Sequence, residues 1–307
     1  FWVKHAMFFY ILAMVMIVLV MTPLGYSAYG ARRWISIGPI SIQPAEYAKL
    51  ALIFACTAVV EKMGKSARKF RAIFMHVVLG GILAGMIFLI TNNLSSAIII
   101  FGISVVIGFV MYPKYNIYII GVTAIGALVV AVRQWAINAQ LSDNANFRFE
   151  RILAWVNPEK FADDTGFQTV QALYAIGSGG LFGKGLGKSL QKLGFIPEAQ
   201  NDMIFSVICE ELGLFGALCV LIVFGLMLWR FVYIATNSPD LTGCLLVVGV
   251  FAHIAIQVIL NVAVVTNLIP NTGISLPFIS YGGTSVLFLM AEMGIVLNVS
   301  SRIRMEV

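Results

Sequence analysis

Asp202 stands where a long polar stretch runs into an apolar one, within Ile196-Pro-Glu-Ala-Gln-Asn-Asp-Met-Ile-Phe205. Glu198, Glu210 and Glu211 lie close by in the chain. Ionisable groups at the edge of a membrane, or inside it, are costly to keep and read by default as functional. A carboxylate on the wet rim of a membrane cavity suits general-base chemistry. Asp is equally favoured as the N-cap of a following helix, and the two roles are compatible. If helix begins near Asp202, Glu210 lies about 80° around the axis and about 12 Å deeper. Glu210 then reads as a buried structural partner of a lysine or a backbone group, and Glu211 points elsewhere.

A second constellation is basic. Gly30-Ala-Arg-Arg-Trp-Ile35 sets Arg32 and Arg33 beside an indole. Gln43-Pro-Ala-Glu-Tyr-Ala-Lys49 reads as a helix start, with Pro near the first position. Glu46 and Lys49, three apart, can pair on one face. Guanidinium groups grip phosphate oxygens in pairs, so this cluster fits a diphosphate headgroup. Arg and Trp alone would read as interface anchors; Lys49 is too far into the apolar run for that. Arg151, Gln171, Glu198, Ser280, Glu46 and Glu210 are the remaining polar residues expected to support one cavity.

Other motifs carry less. Gly183-Lys-Gly-Leu-Gly-Lys-Ser189 resembles a phosphate loop but has Phe182 where the spacing requires glycine, and reads as a flexible hinge. His5, His76 and His253 are scattered, the four cysteines lie in apolar runs without CxxC spacing, and no GxSxG occurs. No zinc site, disulfide framework or serine nucleophile is expected. The run 270–285, dense in Pro and Gly, reads as a re-entrant cavity wall, because broken backbone at membrane depth must line a cavity or be buried in protein.

The elements that must position these residues are membrane helices. Hydrophobic residues make up 60% of the 307-residue chain and charged residues 11%. Mean hydropathy is +0.94. Soluble domains carry about 25% charged residues, so most of this chain must face lipid or other membrane helices. Eight segments are long and apolar enough to span, or nearly so: 5–22, 44–61, 72–91, 94–111, 116–133, 203–229, 243–268 and 284–300. The fold expected is an all-α polytopic protein forming a single integral membrane domain over 1–307. The third and fourth spans meet in a tight hairpin at Thr91-Asn-Asn93. Lys4, the connections 62–71 and 112–115, Arg230, Arg302 and Arg304 place both ends in the cytoplasm by the positive-inside rule. Segment 134–202 is then one large extracellular loop, expected to hold short helices on the membrane surface followed by a glycine-rich turn.

Three groups of segments together carry a family resemblance: Gly30–Ile35 with Gln43–Lys49; Ala175-Ile-Gly-Ser-Gly-Gly180 with Pro197–Phe205 and Glu210-Glu-Leu-Gly213; and Pro270-Asn-Thr-Gly-Ile-Ser-Leu-Pro-Phe-Ile-Ser-Tyr-Gly-Gly-Thr-Ser285. The chain resembles the shape, elongation, division and sporulation proteins (FtsW, RodA, SpoVE) over nearly its whole length. It looks closer to the division and sporulation branch of Gram-positive bacteria. The resemblance implies a peptidoglycan glycosyltransferase that polymerises lipid II on the outer face of the bacterial cytoplasmic membrane. It also implies a class B penicillin-binding transpeptidase and other division proteins as partners. No nucleic-acid partner is expected. By the same resemblance Asp202 is the catalytic carboxylate, and Arg33 and Lys49 match the family's basic positions; Arg32 is a further diphosphate-binding candidate from its place beside them. A divalent cation, Mg or Mn, would help neutralise the diphosphate, although no carboxylate cluster specifies one. The family fold has ten spans, so the chain is expected to lack the first two. Thr91-Asn-Asn-Leu-Ser-Ser96 has Asn93 where many members carry an acid, so no chemistry is assigned there. The alternative from another class is a lipid II flippase, since broken helices and buried charges also suit a transporter.

Overall fold

A computed structural model describes residues 1–28, 31–38, 40–68, 70–112, 114–138, 147–163, 166–193, 196–197 and 199–303. Gly30, Asp164, Glu198 and Arg304 fall outside the described residues, as does the side chain of Arg148. The chain is mostly helical, with ten α-helices among the described residues. They are α1 Ala6–Leu19, α2 Pro44–Met63, α3 Phe70–Thr91, α4 Leu94–Met111, α5 Tyr115–Asn138, α6 Phe147–Val156, α7 Phe167–Gly179, α8 Ile204–Thr236, α9 Leu241–Val265 and α10 Gly283–Ser300. Every apolar segment expected to span coincides with one of α1–α5 and α8–α10. Six of these helices (α3, α4, α5, α8, α9 and α10) are long and apolar enough to cross a membrane, by length and composition. The 14-residue α1 is shorter, at roughly 21 Å for a rise of 1.5 Å per residue. Charged residues within α2 (Glu46, Lys49, Glu61, Lys62) dilute its apolar character.

The fold is not purely helical. Strands β1 Gly25–Ala28, β2 Ala31–Ile37 and β3 Ile40–Ile42 form an antiparallel sheet in that order. Tyr26 pairs with Trp34, and Ile35 with Ile42. The Arg-Trp-Ile-Ser-Ile alternation of β2 is period-two, but it is too short to stand out beside helical spans.

The residues gather into two compact units. The first holds 1–113, 225–257 and 282–307; the second holds 114–224 and 258–281. α2 runs through the core of the first unit, buried at nearly every position from Pro44 to Val60. Pro44 opens it, Glu46 lies in its first turn and Lys62 in its last, which matches the helix dipole at both ends. Its alanines, and small residues elsewhere in the unit, allow close approach, as in other membrane interfaces. A Cβ on Gly249 of α9 would come within 2.6 Å of Ile53, and one on Gly80 of α3 within 2.1 Å of Ser104 in α4. The expected hairpin between α3 and α4 turns at Asn92, with φ 50°, and Asn93 caps α4 by accepting the Ser96 N–H at 3.1 Å.

In the second unit α5 is exposed along almost its whole length, with only Ala136 buried. An apolar helix so exposed suits lipid contact. Segment 134–202 is largely structured: α6, a 3₁₀ turn Pro158–Phe161, α7 and then a glycine-rich run. α8 breaks at Gly213, where φ is 69° and ψ −169°.

Candidate functional site

Asp202 lies two residues ahead of α8 and is half-buried. Its Oδ1 accepts a hydrogen bond from Gln168 Nε2 of α7 at 3.2 Å. Gln168 Oε1 accepts from Asn271 Nδ2 at 2.8 Å, so one amide links the α7 face to the 270–285 run. The Arg151 guanidinium of α6 interacts electrostatically with Asp202 and reaches the Asn271 carbonyl at 3.5 Å. Burial lowers the Arg151 pKa from the ordinary arginine value, and the Asp202 charge works against that shift. Gly273, with φ 68°, passes beside the carboxylate, and a Cβ there would lie 3.7 Å from Asp202 Oδ2. A glycine at this turn leaves the carboxylate approachable from that side.

The main chain around Asp202 is pinned independently of its side chain. Asn261 Nδ2 donates to the Asp202 carbonyl at 2.9 Å and to the Ile274 carbonyl at 2.6 Å. Ser280 Oγ donates to the Asn201 carbonyl and accepts the Leu276 N–H, and the Tyr281 N–H donates to Gln200. Residues 274–281 are therefore an ordered stretch against which 200–202 is strapped. Gln171 is half-buried one turn beyond Gln168 on α7.

Glu210 and Glu211 occupy a different setting. Glu210 is fully buried, and its oxygens receive Lys184 Nζ at 2.7 Å, Ser189 Oγ, and the N–H groups of Leu190 and Gln191. Glu211 receives Lys192 Nζ and the N–H groups of Gly187 and Ser189. Backbone bonds add to this: Lys184 N–H to Glu210 O, Gly185 N–H to Glu211 O, and Leu214 N–H to Gly180 O. The glycine-rich run is thus stitched into the break of α8 and is not the flexible hinge its composition suggested. Gly183 (φ 76°) and Gly213 (φ 69°) permit the contact. A Cβ on Gly183 would meet the Glu211 carbonyl at 2.2 Å, and one on Gly213 the Gly183 nitrogen at 2.4 Å.

The basic positions lie in the first unit. Arg33, on β2, is half-buried and donates to the carbonyls of Thr91 and Asn92 at the α3–α4 hairpin, at 3.4 and 3.1 Å. Arg32 points to the opposite side of the strand and is exposed, with its N–H groups directed at the carbonyls of Met21, Thr22 and Gly25. Lys49 is 1% exposed; it pairs with Glu46 at 2.8 Å and donates to Gln257 Oε1 at 3.1 Å. Gln257, His253 and Glu292 continue this row, and none of them stood out in the sequence. A signal was present: His253, Gln257 and Asn261 recur every four residues in the apolar α9, a polar stripe on one helix face. Among the described residues no three His, Cys, Asp or Glu side chains gather as metal ligands.

Long apolar helices enclosing paired and hydrogen-bonded charges define a multi-pass membrane protein. Residues 1–305 match the family model FTSW_RODA_SPOVE, described as cell cycle protein, and the chain belongs to that family. It is 38% identical over 290 residues to the stage V sporulation protein E of Bacillus subtilis, covering 93% of this chain and 76% of the relative. It is 35% identical over 305 residues to a probable peptidoglycan glycosyltransferase FtsW of Geobacter metallireducens, covering 99% and 79%. Among solved structures it is similar to a chain from work on the structural coordination of polymerization and crosslinking by a peptidoglycan synthase complex. That match has a TM-score of 0.78 at 27% identity, covering 99% of this chain and 83% of the other.

Proposed function

We propose that this protein is a peptidoglycan glycosyltransferase that polymerises lipid II into glycan strands at the outer face of the bacterial cytoplasmic membrane. The observation that carries the assignment of the reacting group is Asp202: a half-buried carboxylate on an immobilised main chain, bonded to a neutral amide and beside a glycine. Asp202 takes the proton from the attacking sugar hydroxyl, the new bond forms at C1 of the second lipid-linked sugar, and the C1–O bond to its diphosphate breaks. Arg151 favours the ionised form of Asp202. Arg33 and Lys49 are assigned to the departing diphosphate, whose charge grows in the transition state. Arg32 supplies further positive potential. Its N–H groups already face carbonyls, so it ranks below Arg33 as a direct ligand.

Eight helices (α1–α5 and α8–α10) cross the membrane in this reading, with both ends of the chain in the cytoplasm and 134–202 outside. A class B penicillin-binding transpeptidase and other division proteins are the expected partners. A divalent cation, if used, travels on the diphosphate, and polymerisation with Mg or Mn against chelator measures its contribution. The deciding experiment is lipid II polymerisation by the protein with its transpeptidase, comparing Asp202 with Asp202→Asn. Glycan chains of normal length from the variant would remove Asp202 from the chemistry. Movement of labelled lipid II across vesicles without polymerisation would support the flippase reading instead.

A further inference from the structure

Five polar side chains form one hydrogen-bonded row inside the first unit. Glu46 Oε1 lies 2.8 Å from Lys49 Nζ, and Lys49 Nζ donates to Gln257 Oε1 at 3.1 Å. His253 Nε2 lies 2.8 Å from the same oxygen, and His253 Nδ1 lies 2.8 Å from Glu292 Oε2. None of the five residues is more than 6% exposed. The row joins α2, α9 and α10, and it contains four of the unit's buried ionisable groups.

Counting hydrogens gives the row a direction. An ammonium has donors only, so the Gln257 atom facing Lys49 is the oxygen. That oxygen only accepts, so His253 Nε2 carries a hydrogen. Nδ1 then donates to an ionised Glu292, or accepts from a protonated one; either way a single proton lies between ring and carboxyl. Lys49 and Glu46 balance each other at one end, and His253 and Glu292 at the other. Gln257 cannot rotate its amide by half a turn without placing its NH₂ against the ammonium.

Stability alone does not account for such a row. Buried ion pairs replaced by well-packed apolar residues are often neutral or more stable, and membrane-embedded charges are read as functional by default. The outer end is also unsaturated. Lys49 Nζ has two acceptors for three N–H groups, and Glu46 Oε2 is buried with no hydrogen-bond partner among the described residues. Lys49 therefore keeps one N–H without an acceptor among the described residues, and an anionic ligand can take it.

We propose that Gln257, His253 and Glu292 are positioning residues for Lys49: the row holds the ammonium from behind, through Gln257, when a diphosphate oxygen takes its remaining N–H. The proposal rests on the reading of Lys49 as a diphosphate ligand. The Gln257 oxygen is the pivot, because it accepts from both sides at once.

The test uses the full-length protein with its transpeptidase, in lipid II polymerisation and in ¹⁵N-imidazole NMR. Gln257→Met removes the acceptor at similar length and is expected to raise KM for lipid II about tenfold or more, with kcat changed less. Gln257→Glu restores an acceptor that suits both neighbours and is expected to recover KM to within about threefold of the parent. If Gln257→Met fails to fold, the NMR measurement decides: His253 Nε2 is expected to carry a proton, and a bare Nε2 with a lone Nδ1–H overturns the row. Normal KM in Gln257→Met with impaired Lys49→Met overturns positioning while leaving Lys49 as a ligand. Normal polymerisation in Lys49→Met ends the ligand reading itself, and the positioning role with it.

Discussion

Asp202 and Glu210 are carboxylates eight residues apart, one just ahead of α8 and the other inside it, and their surroundings differ in kind. Glu210 is sealed, with a lysine ammonium, a hydroxyl and two backbone N–H groups directed at its two oxygens. Asp202 is half-buried; its Oδ1 accepts from a neutral amide, an arginine charge acts on it, and a glycine passes one side. Removing any one of the Glu210 donors leaves a buried charge short of a partner. A half-buried carboxylate on a pinned main chain can be reached by a substrate hydroxyl in a way that a sealed one cannot. The same residue chemistry thus serves assembly in one place and reaction in the other, and the depth of burial separates them.

The largest expected effect is at Asp202. Asp202→Asn keeps the shape and the bond from Gln168, and lowers lipid II polymerisation by about 10²–10⁴-fold, the range for loss of a general base. Thermal unfolding in detergent is expected to match the parent. The mirror experiment is Glu210→Ala, which strands Lys184 and Ser189 and is expected to cost about 3 kcal/mol or to prevent folding. A folded Glu210→Ala protein of normal stability would break the comparison from the other side. Gly213→Ala follows at about 1–3 kcal/mol, because φ is 69° there and the added Cβ meets the Gly183 backbone at 2.4 Å.

How far the sequence revealed these two settings depends on the range of the forces that made them. The long apolar helices were legible because apolar runs near twenty residues leave few alternatives. Asp202 was legible as a charge at a polar–apolar boundary, and Glu210 as a structural partner of a lysine. The identity of that lysine was not: Lys184 is 26 residues away in the chain and arrives only because a glycine-rich run docks into a broken helix. Glycine composition reads as flexibility, yet glycine also permits backbone-to-backbone approach, and only the fold tells the two apart. The sheet 25–42 went unread for a related reason. Its strands are three to seven residues long and include two arginines whose N–H groups bond main-chain carbonyls. The His253–Gln257 stripe was visible as a spacing, but the partner Glu292 is 39 residues from His253 and lies on a separate helix.

Smaller effects sharpen the comparison. Gln168→Leu removes the amide that orients Asp202 without touching its charge or its main chain. The expected result is a fall in kcat of about tenfold, the scale of one hydrogen bond to a charged group. Thermal stability should change little, because Asn261 and Ser280 still hold 201–202. A loss as deep as that of Asp202→Asn would mean that the amide does more than orient. The smallest effect is expected at Lys192. Its ammonium meets Glu211, but its side chain is 34% exposed and Glu211 also accepts the Gly187 and Ser189 N–H groups. Solvent screening limits such a pair to about 1 kcal/mol or less, and Lys192→Met should unfold within a few degrees of the parent. Lys184 is also partly exposed, but it serves a carboxylate with no exposure at all. Lys184→Met should therefore cost clearly more than Lys192→Met. Equal losses from the two would show that burial of the acceptor does not set the strength of the lock.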